Sequence, residues 1–393
     1  MEKQFGYECK FADYKEELIY LRRYFHRHPE LGLKEYETSE FIWNYLEQLG
    51  YRLRKVSPTG IIAEHPCQDG VIFAYRKKVV LRAEMDALPI QEQTGLDYAS
   101  ENAGVMHACG HDGIVAVALM LAKILAEQKE TFPVRMRFLF EPAEEIGEGA
   151  RRMLEAGALE GEPDAFLMFH YAVDQSLGMA VHKGQASAMI NGMEIRVHGK
   201  SSHWCEAEKG IDSIYAASLV VKALHDLNEN YRGKGPCLVG TGTIHGGEYP
   251  NIITDLVTLR GNIRAAYEED YWALDREMRK AVKEIETVTG TGIEVIYPKP
   301  AVLPIINDAG LTKAAKAAGK KVFGDRFILE NEEQLFLSGD NAYRYFLQAK
   351  GVFLVFLARP EGEVYPFHHP KFQFDEEILL YSLEALYETL KGV

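Results

Sequence analysis

The chain has 393 residues, 47% apolar and 26% charged, the make-up of a globular protein with ample core, and its length suits two domains. Its 44 Lys and Arg against 58 Asp and Glu leave a net charge of −14, which argues against nucleic acid or anionic membrane surfaces as partners. Cys9, Cys67, Cys109, Cys205 and Cys237 are odd in number, widely spaced and free of any CxxC pair; this excludes a disulfide framework and points to a reducing cytoplasm.

The opening "MEKQFGYECK" lacks the apolar core of a signal peptide. The longest apolar run, "IVAVALMLA" at 114–122, is about half of the ~20 residues that a membrane span needs, so no membrane partner is expected. Helical patterns cover about 12–26 and 35–49, separated by the breakers of "HPELG". "KVVLRA" (78–83) is a buried strand, "GIVAVALMLAKILAEQ" (113–128) a buried helix and "VRMRFLF" (134–140) a strand. A helix over "GEGARRMLEAGA" and a strand over "AFLMFH" (165–170) follow. This alternation predicts a mostly parallel sheet flanked by helices. From 188 to 300 the pattern changes to β-α-β-β-α-β, the split βαβ arrangement. After Pro300 helix, strand and helix return. The predicted class is α/β, with one α/β domain over 1–186 and 301–393 and an inserted α+β, ferredoxin-like domain over 187–300.

Clusters of possible ligands fall beyond strand ends. "EMD" (84–86) follows "KVVLRA", "EPAEE" (141–145) follows "VRMRFLF", His170 ends "AFLMFH", and "FHHP" (367–370) comes shortly after "VFLVFLARP". "HACGHD" stands just before the buried helix. In open α/β sheets, ligands bind beyond the carboxyl ends of the strands, so separate segments deliver His, Cys, Asp and Glu to one edge. Imidazole, thiolate and carboxylate are ligands that zinc accepts, and imidazole with carboxylate also suits manganese or cobalt. A pair of ions can hold a water and an amide carbonyl together, while one carboxylate off the metal takes the proton. Adjacent Glu144 and Glu145 can divide those tasks.

Blander readings stand beside this one. A free cysteine before a buried helix is commonly a small core residue, and adjacent glutamates are commonly a solvated face. Cys109 beside His111 also admits a nucleophile, although such a site has no need of two glutamates. "HRHPELG" (26–32) reads as a helix terminus ended by Pro29. "GTGTIHGG" (240–247) lacks the Lys-Ser/Thr of a P-loop, which discounts nucleotide binding.

Taken in order, "HRHPELGLKEYET", "RAEMDALPIQE", "MHACGHDG", "FEPAEEIGEGARRMLEAGALEG", "GKSSH", "NIITD" with "GNIR", and "FHHPKFQFDEE" resemble the M20 metallopeptidases nearly end to end, specifically their amidohydrolase branch, subfamily D. The resemblance implies a zinc-exopeptidase-like catalytic domain and an inserted domain that acts as a lid and dimerises. It implies two divalent ions (Zn, Mn, Co or Ni) held by Cys109, His111, Glu145, His170 and His368. Glu144 matches the general base. His203 matches a lid histidine that steadies the oxyanion, reaching a neighbouring subunit's site in a homodimer. Asn251 and Arg264 match residues that hold a substrate carboxylate, for which the Arg fork is apt. Asp86 and Asp112 match acidic positions supporting the ligands. The implied reaction is hydrolysis of an N-acyl amino acid; a dipeptidase or carboxypeptidase on the same site, or a non-catalytic binder, are the rivals.

The chain departs from that pattern at Glu84 (Asp is usual), Glu141 (Gln), Ile114 (His), Gly339 (Glu) and Asn341 (Phe). The run "WCEAEKG" after His203, with Trp204, Cys205 and Glu208, is also unusual; these departures together, those at Trp204 and Asn341 above all, bear on substrate preference.

Overall fold

A computed structural model describes residues 9–65, 76–128, 132–330 and 337–393, so Cys67 lies outside the described residues. Within Met1–Ala186, Ile306–Glu332 and Asn341–Val393 the described residues form one compact unit; within Ser187–Ile305 and Glu333–Asp340 they form a second.

The first unit opens with α1 (Lys15–Arg27), α2 (Tyr36–Gln48), β1 (Arg52–Val56), β2 (Gly60–Glu64) and β3 (Lys77–Glu84). Then come α3 (His111–Glu127), β4 (Val134–Glu141), α4 (Gly149–Glu155), β5 (Ala165–Ala172) and β6 (Gly178–His182). The second unit holds β7 (Met189–His198), β8 (Ser202–His203), α5 (Ser213–Asn230), β9 (Cys237–Gly246), β10 (Ile252–Ile253), β11 (Leu256–Ala265), α6 (Glu268–Thr289) and β12 (Gly292–Ile296). The chain returns with α7 (Ala309–Phe323), β13 (Phe327–Glu330), α8 (Tyr343–Phe346), β14 (Gly351–Leu357) and α9 (Glu377–Lys391).

The first unit is built on an eight-stranded sheet in the order β1-β2-β4-β3-β5-β14-β6-β13. Its centre, β4-β3-β5-β14, is parallel. The apolar runs of these strands are buried nearly throughout, as strands covered on both faces must be. Helix α3 is apolar all round and buried from His111 to Ala122, and it packs against α1 and α9. Gly110 opens it at φ 90, a conformation that favours glycine. A Cβ on Gly113 would stand 2.7 Å from the Phe374 ring, so a bare backbone lets the helix start approach that aromatic. Because β3, β4, β5 and β14 run parallel, their carboxyl ends share one edge.

The second unit is an antiparallel sheet, β12-β7-β11-β9, with α5 and α6 packed on it. Burial alternates along β7, the mark of a strand with one covered face. Asp212 caps α5 by accepting from Ile214 and Tyr215 N–H. Residues 301–305 also join this unit, where Val302 and Ile190 exchange backbone hydrogen bonds at 2.8 and 3.0 Å.

Sequence patterning leaves four strands of the large sheet unassigned: β1, β2, β6 and β13. The first two form an antiparallel edge hairpin, and β1 is largely exposed, so it carries no apolar run to read. Strand β5 extends past His170 to Ala172, placing that histidine inside the strand rather than at its end. No helix among the described residues is long and apolar enough to cross a membrane.

Candidate metal centre

All five sequence-predicted ligands meet in the first unit, at the carboxyl edge of its sheet. Cys109 and His111 straddle the start of α3, Glu145 follows β4, His170 is in β5, and His368 lies on the loop after β14. Three sets of donor atoms lie within 4.8 Å of one another: Cys109, His111 and His170; Cys109, Glu145 and His368; and His111, Glu144 and Glu145. Two donors on one zinc ion stand at most about 4.6 Å apart, twice the longest such bond, so each set is near ligating range. Cys109, His111 and Glu145 each belong to two sets, the overlap that two neighbouring ions require.

The histidines are oriented by what their other nitrogens touch. His111 Nδ1 is 2.9 Å from the Asp86 carbonyl oxygen, and His170 Nδ1 is 2.9 Å from that of Tyr171. A carbonyl only accepts, so the proton sits on Nδ1 and Nε2 keeps the lone pair that a metal needs. His170 Nε2 lies 3.5 Å from Cys109 Sγ, and His368 Nε2 lies 3.4 Å from Glu145 Oε2. Glu145 Oε1 is buried with no hydrogen-bond partner. A lone buried carboxylate oxygen beside a thiol and imidazoles fits a divalent cation by charge and by ligand type.

Of the donors, Glu145 is held ready as a carboxylate, whereas the thiol and the His111 ring hold their protons more tightly than usual and would give them up on binding a cation. Burial opposes the charge on Glu145, but the hydrogen bond from His368 and the nearby His111 bring its pKa down to about 2. Burial pushes the Cys109 thiol up, with a hydrogen bond to His111 working against it. Burial works against protonation of His111, yet hydrogen bonds to Asp86 and Cys109 raise its pKa.

Asp86 and Asp112 both stand behind the ligands. Asp86 Oδ2 accepts the backbone N–H of Glu145 at 3.0 Å. Asp112 Oδ2 takes Arg22 Nε at 2.9 Å and His26 Nδ1 at 2.8 Å. Burial opposes its charge, but Arg22 and His26 hold its carboxyl below the usual range. His26 comes from the segment read as a mere helix terminus; α1 does end at Arg27, yet its last turn reaches the centre through Asp112.

His203, Asn251 and Arg264 lie in the second unit. His203 and Asn251 are brought together by the β8–β10 pairing, with His203 Nε2 3.4 Å from Asn251 Nδ2. The Cys205 N–H donates to His203 Nδ1 at 3.2 Å. Arg264 is on β11, where its Nε donates to Asn262 Oδ1 at 2.8 Å and its guanidinium to the Leu337 carbonyl at 2.9 Å.

Sequence reasoning passed over a buried polar group beneath the centre. Arg82 donates to Glu141 through two bonds of 2.9 and 3.1 Å, to Glu84, and to Asn341 Oδ1 at 3.2 Å. Tyr345 donates to Glu141 at 2.6 Å. Glu84 and Glu141 are register partners at the ends of β3 and β4. Three departures from the family pattern therefore belong to one network, and the arginine inside an apolar strand is the sequence signal that joins them.

The profile of Peptidase family M20/M25/M40 matches residues 80–392, most of the chain and every ligand in the centre. The chain belongs to this family. It is 31% identical over 387 residues to the N-acetyl-L-cysteine deacetylase of Bacillus subtilis, covering 96% of this chain and 88% of that one. It is 32% identical over 380 residues to the hippurate hydrolase of Campylobacter jejuni, covering 94% of each. Among solved structures it is similar to the Bacillus subtilis YXEP protein, a dinuclear metal-binding peptidase from the M20 family, with a TM-score of 0.79, 29% identity, and 96% and 98% of the two chains covered. The M20 chain is thus a metal-dependent amidohydrolase or peptidase, a hydrolase acting on amide bonds, on the side of the amidohydrolase branch.

Proposed function

We propose that this M20 protein hydrolyses the amide bond of N-acyl amino acids. The observation that carries this is the pair Glu144 and Glu145 on one turn, both within range of His111, beside two further donor sets that share Cys109. Cys109, His111, Glu145, His170 and His368 would hold two divalent ions, with zinc, manganese, cobalt and nickel all compatible with the donors. Such ions supply Lewis acidity toward the carbonyl and acidify water.

The remaining chemistry falls to side chains. Glu144 takes the proton from the attacking water and passes it to the leaving amine. His203 donates to the developing oxyanion. Its Nδ1 accepts from the Cys205 N–H, which orients the ring. Arg264 and Asn251 hold the free carboxylate of the amino acid, so esters or amides of that carboxylate are poor substrates.

The second unit acts as lid and dimer surface, and a second copy supplies His203. Exposed Ile214, Tyr215, Leu238 and Ile244, on α5 and the edge strand β9, support an interface there. The cytoplasm remains the proposed compartment.

The test is a hydrolysis screen after reconstitution with each metal, offering N-acetyl and N-benzoyl amino acids against unblocked dipeptides. Turnover of the acylated set, reversed by chelator and lost in Glu144→Gln, is the expected result. Turnover of free-amine dipeptides alone would make the protein a dipeptidase, and wild-type rates in E144Q would remove Glu144 as the base.

A further inference from the structure

The turn that carries Glu144 and Glu145 is held on each side by side chains far away in sequence. Before it, Ala143 is fully buried at φ 55, a left-handed conformation that residues with a Cβ adopt only when neighbours impose it. The Ala143 N–H donates to Glu35 Oε1 at 2.8 Å. Glu35 is itself fully buried, at the N-cap of α2, and its Oε2 accepts the Thr59 hydroxyl at 2.6 Å. A Cβ on Gly32 would stand 3.0 Å from Ala143 Cα, so the backbone just before Glu35 packs directly against Ala143. After Ala143, the Glu144 carbonyl accepts from Gly147 N–H at 2.7 Å and from Asn341 Nδ2 at 3.4 Å. Asn341 is steadied in turn by Arg82, whose two bonds to Glu141 fix the end of β4 just ahead of the turn.

We infer that Glu35 and Asn341 are positioning residues for amide hydrolysis, gripping the backbone before and after Glu144, at the Ala143 N–H and the Glu144 C=O, so that its carboxylate is aimed before substrate arrives. This rests on Glu144 being the general base. The contacts fall on the 143 N–H, in the peptide group that enters Ala143, and on the 144 C=O, in the peptide group that leaves Glu144, and neither belongs to a helix or strand ladder. Misplacing a reacting group by about 1 Å can cost on the order of 10²-fold in rate, so small movements of this turn matter. Glutamine at 35 preserves the geometry, because its Oε1 accepts from Ala143 while its amide N–H meets the Thr59 oxygen. Alanine at 35, or leucine at 341, removes one side of the grip.

The test uses the full chain, loaded with the metal and assayed on the N-acyl amino acid that the wild type turns over fastest. Glu35→Ala and Asn341→Leu are expected to lower kcat by about 10–100-fold, with KM and metal content close to wild type. Glu35→Gln is expected to restore most of the rate. Amide hydrogen exchange in the peptide spanning 142–147 is expected to quicken in E35A and N341L, a readout independent of turnover. Unchanged exchange there, a rate loss matched by metal loss, or an E35Q as slow as E35A would overturn the inference. If E35A does not fold, N341L decides the matter by the same rate, KM, metal and exchange readouts. An active E144Q would remove the base assignment itself, whereas an inactive E144Q beside a fully active E35A would remove only the positioning role.

Discussion

Asp86 joins two ligands of the candidate centre at once: its side-chain Oδ2 accepts the Glu145 N–H at 3.0 Å, and its backbone carbonyl meets His111 Nδ1 at 2.9 Å. The carbonyl contact survives any side-chain change, whereas the carboxylate contacts, with the Glu145 N–H and at 3.5 Å with His111 Nδ1, do not. Asp86→Ala should therefore free the Glu145 turn while leaving the His111 tautomer fixed. Loss of such a supporting partner typically weakens metal affinity about 10–100-fold. Competitive chelator titration of the D86A variant measures this directly, and wild-type affinity would show that the carboxylate contact is dispensable.

Cys109 appears in two of the three donor sets, so its removal should be felt by both ions. Cys109→Ser substitutes a harder and far less acidic donor. Metal content, read by elemental analysis after gel filtration, should fall together with activity. Lost activity with full metal content would return the nucleophile alternative.

Arg82 is fully buried between two carboxylates, and Met is close to it in volume. Arg82→Met would leave Glu84 and Glu141 buried without their shared cation. Breaking a buried ion pair from one side costs about 3–5 kcal/mol. Urea denaturation should show a loss of that order. The triple variant R82M/E84L/E141L should recover much of it, because replacing the whole group with apolar side chains removes the orphaned charges. No recovery would mean that packing, rather than charge, is what the variant loses.

Glu388 on α9 ties together the N-terminal segment and α7, through Lys10 and through Lys321 at 2.8 Å. Burial opposes its charge, but the two lysines bring its pKa to about 2, against an ordinary 4.5. A carboxylate depressed by folding stabilises the protein fully above its unfolded pKa and loses that contribution as pH falls toward its folded one. The stability gap between wild type and Glu388→Gln should thus be largest near neutrality, shrink below about pH 4.5 and close near pH 2. Urea midpoints at pH 6, 4 and 3 test this; a gap that does not change with pH would show that the pairs contribute no charge-linked stability.

Much of the fold is legible locally. The buried strands and α3 announce themselves as uninterrupted apolar runs, and the middle segment by its alternation. The exposed strand β1 carries no such signal, because hydrogen bonding to β2 rather than apolar burial defines it. The ligand types are legible too, since most of the short motifs end or follow a strand whose carboxyl end must reach the same edge, and the Cys109–His111 motif opens the buried helix beside it.

The sequence by itself determined the donor chemistry: a thiol, three imidazoles and paired glutamates, delivered to one sheet edge. Only the tertiary structure decided how those groups are held. Glu35 and Ala143 are 108 positions apart, and Arg82 and Asn341 are 259 apart. No local pattern encodes such pairs, because a buried carboxylate or guanidinium is tolerated only where distant backbone groups and counter-charges converge on it. The unusual residues Glu84, Glu141 and Asn341 looked, one at a time, like changes in substrate preference; in three dimensions they share Arg82, and the desolvation of that one cation explains why they sit together.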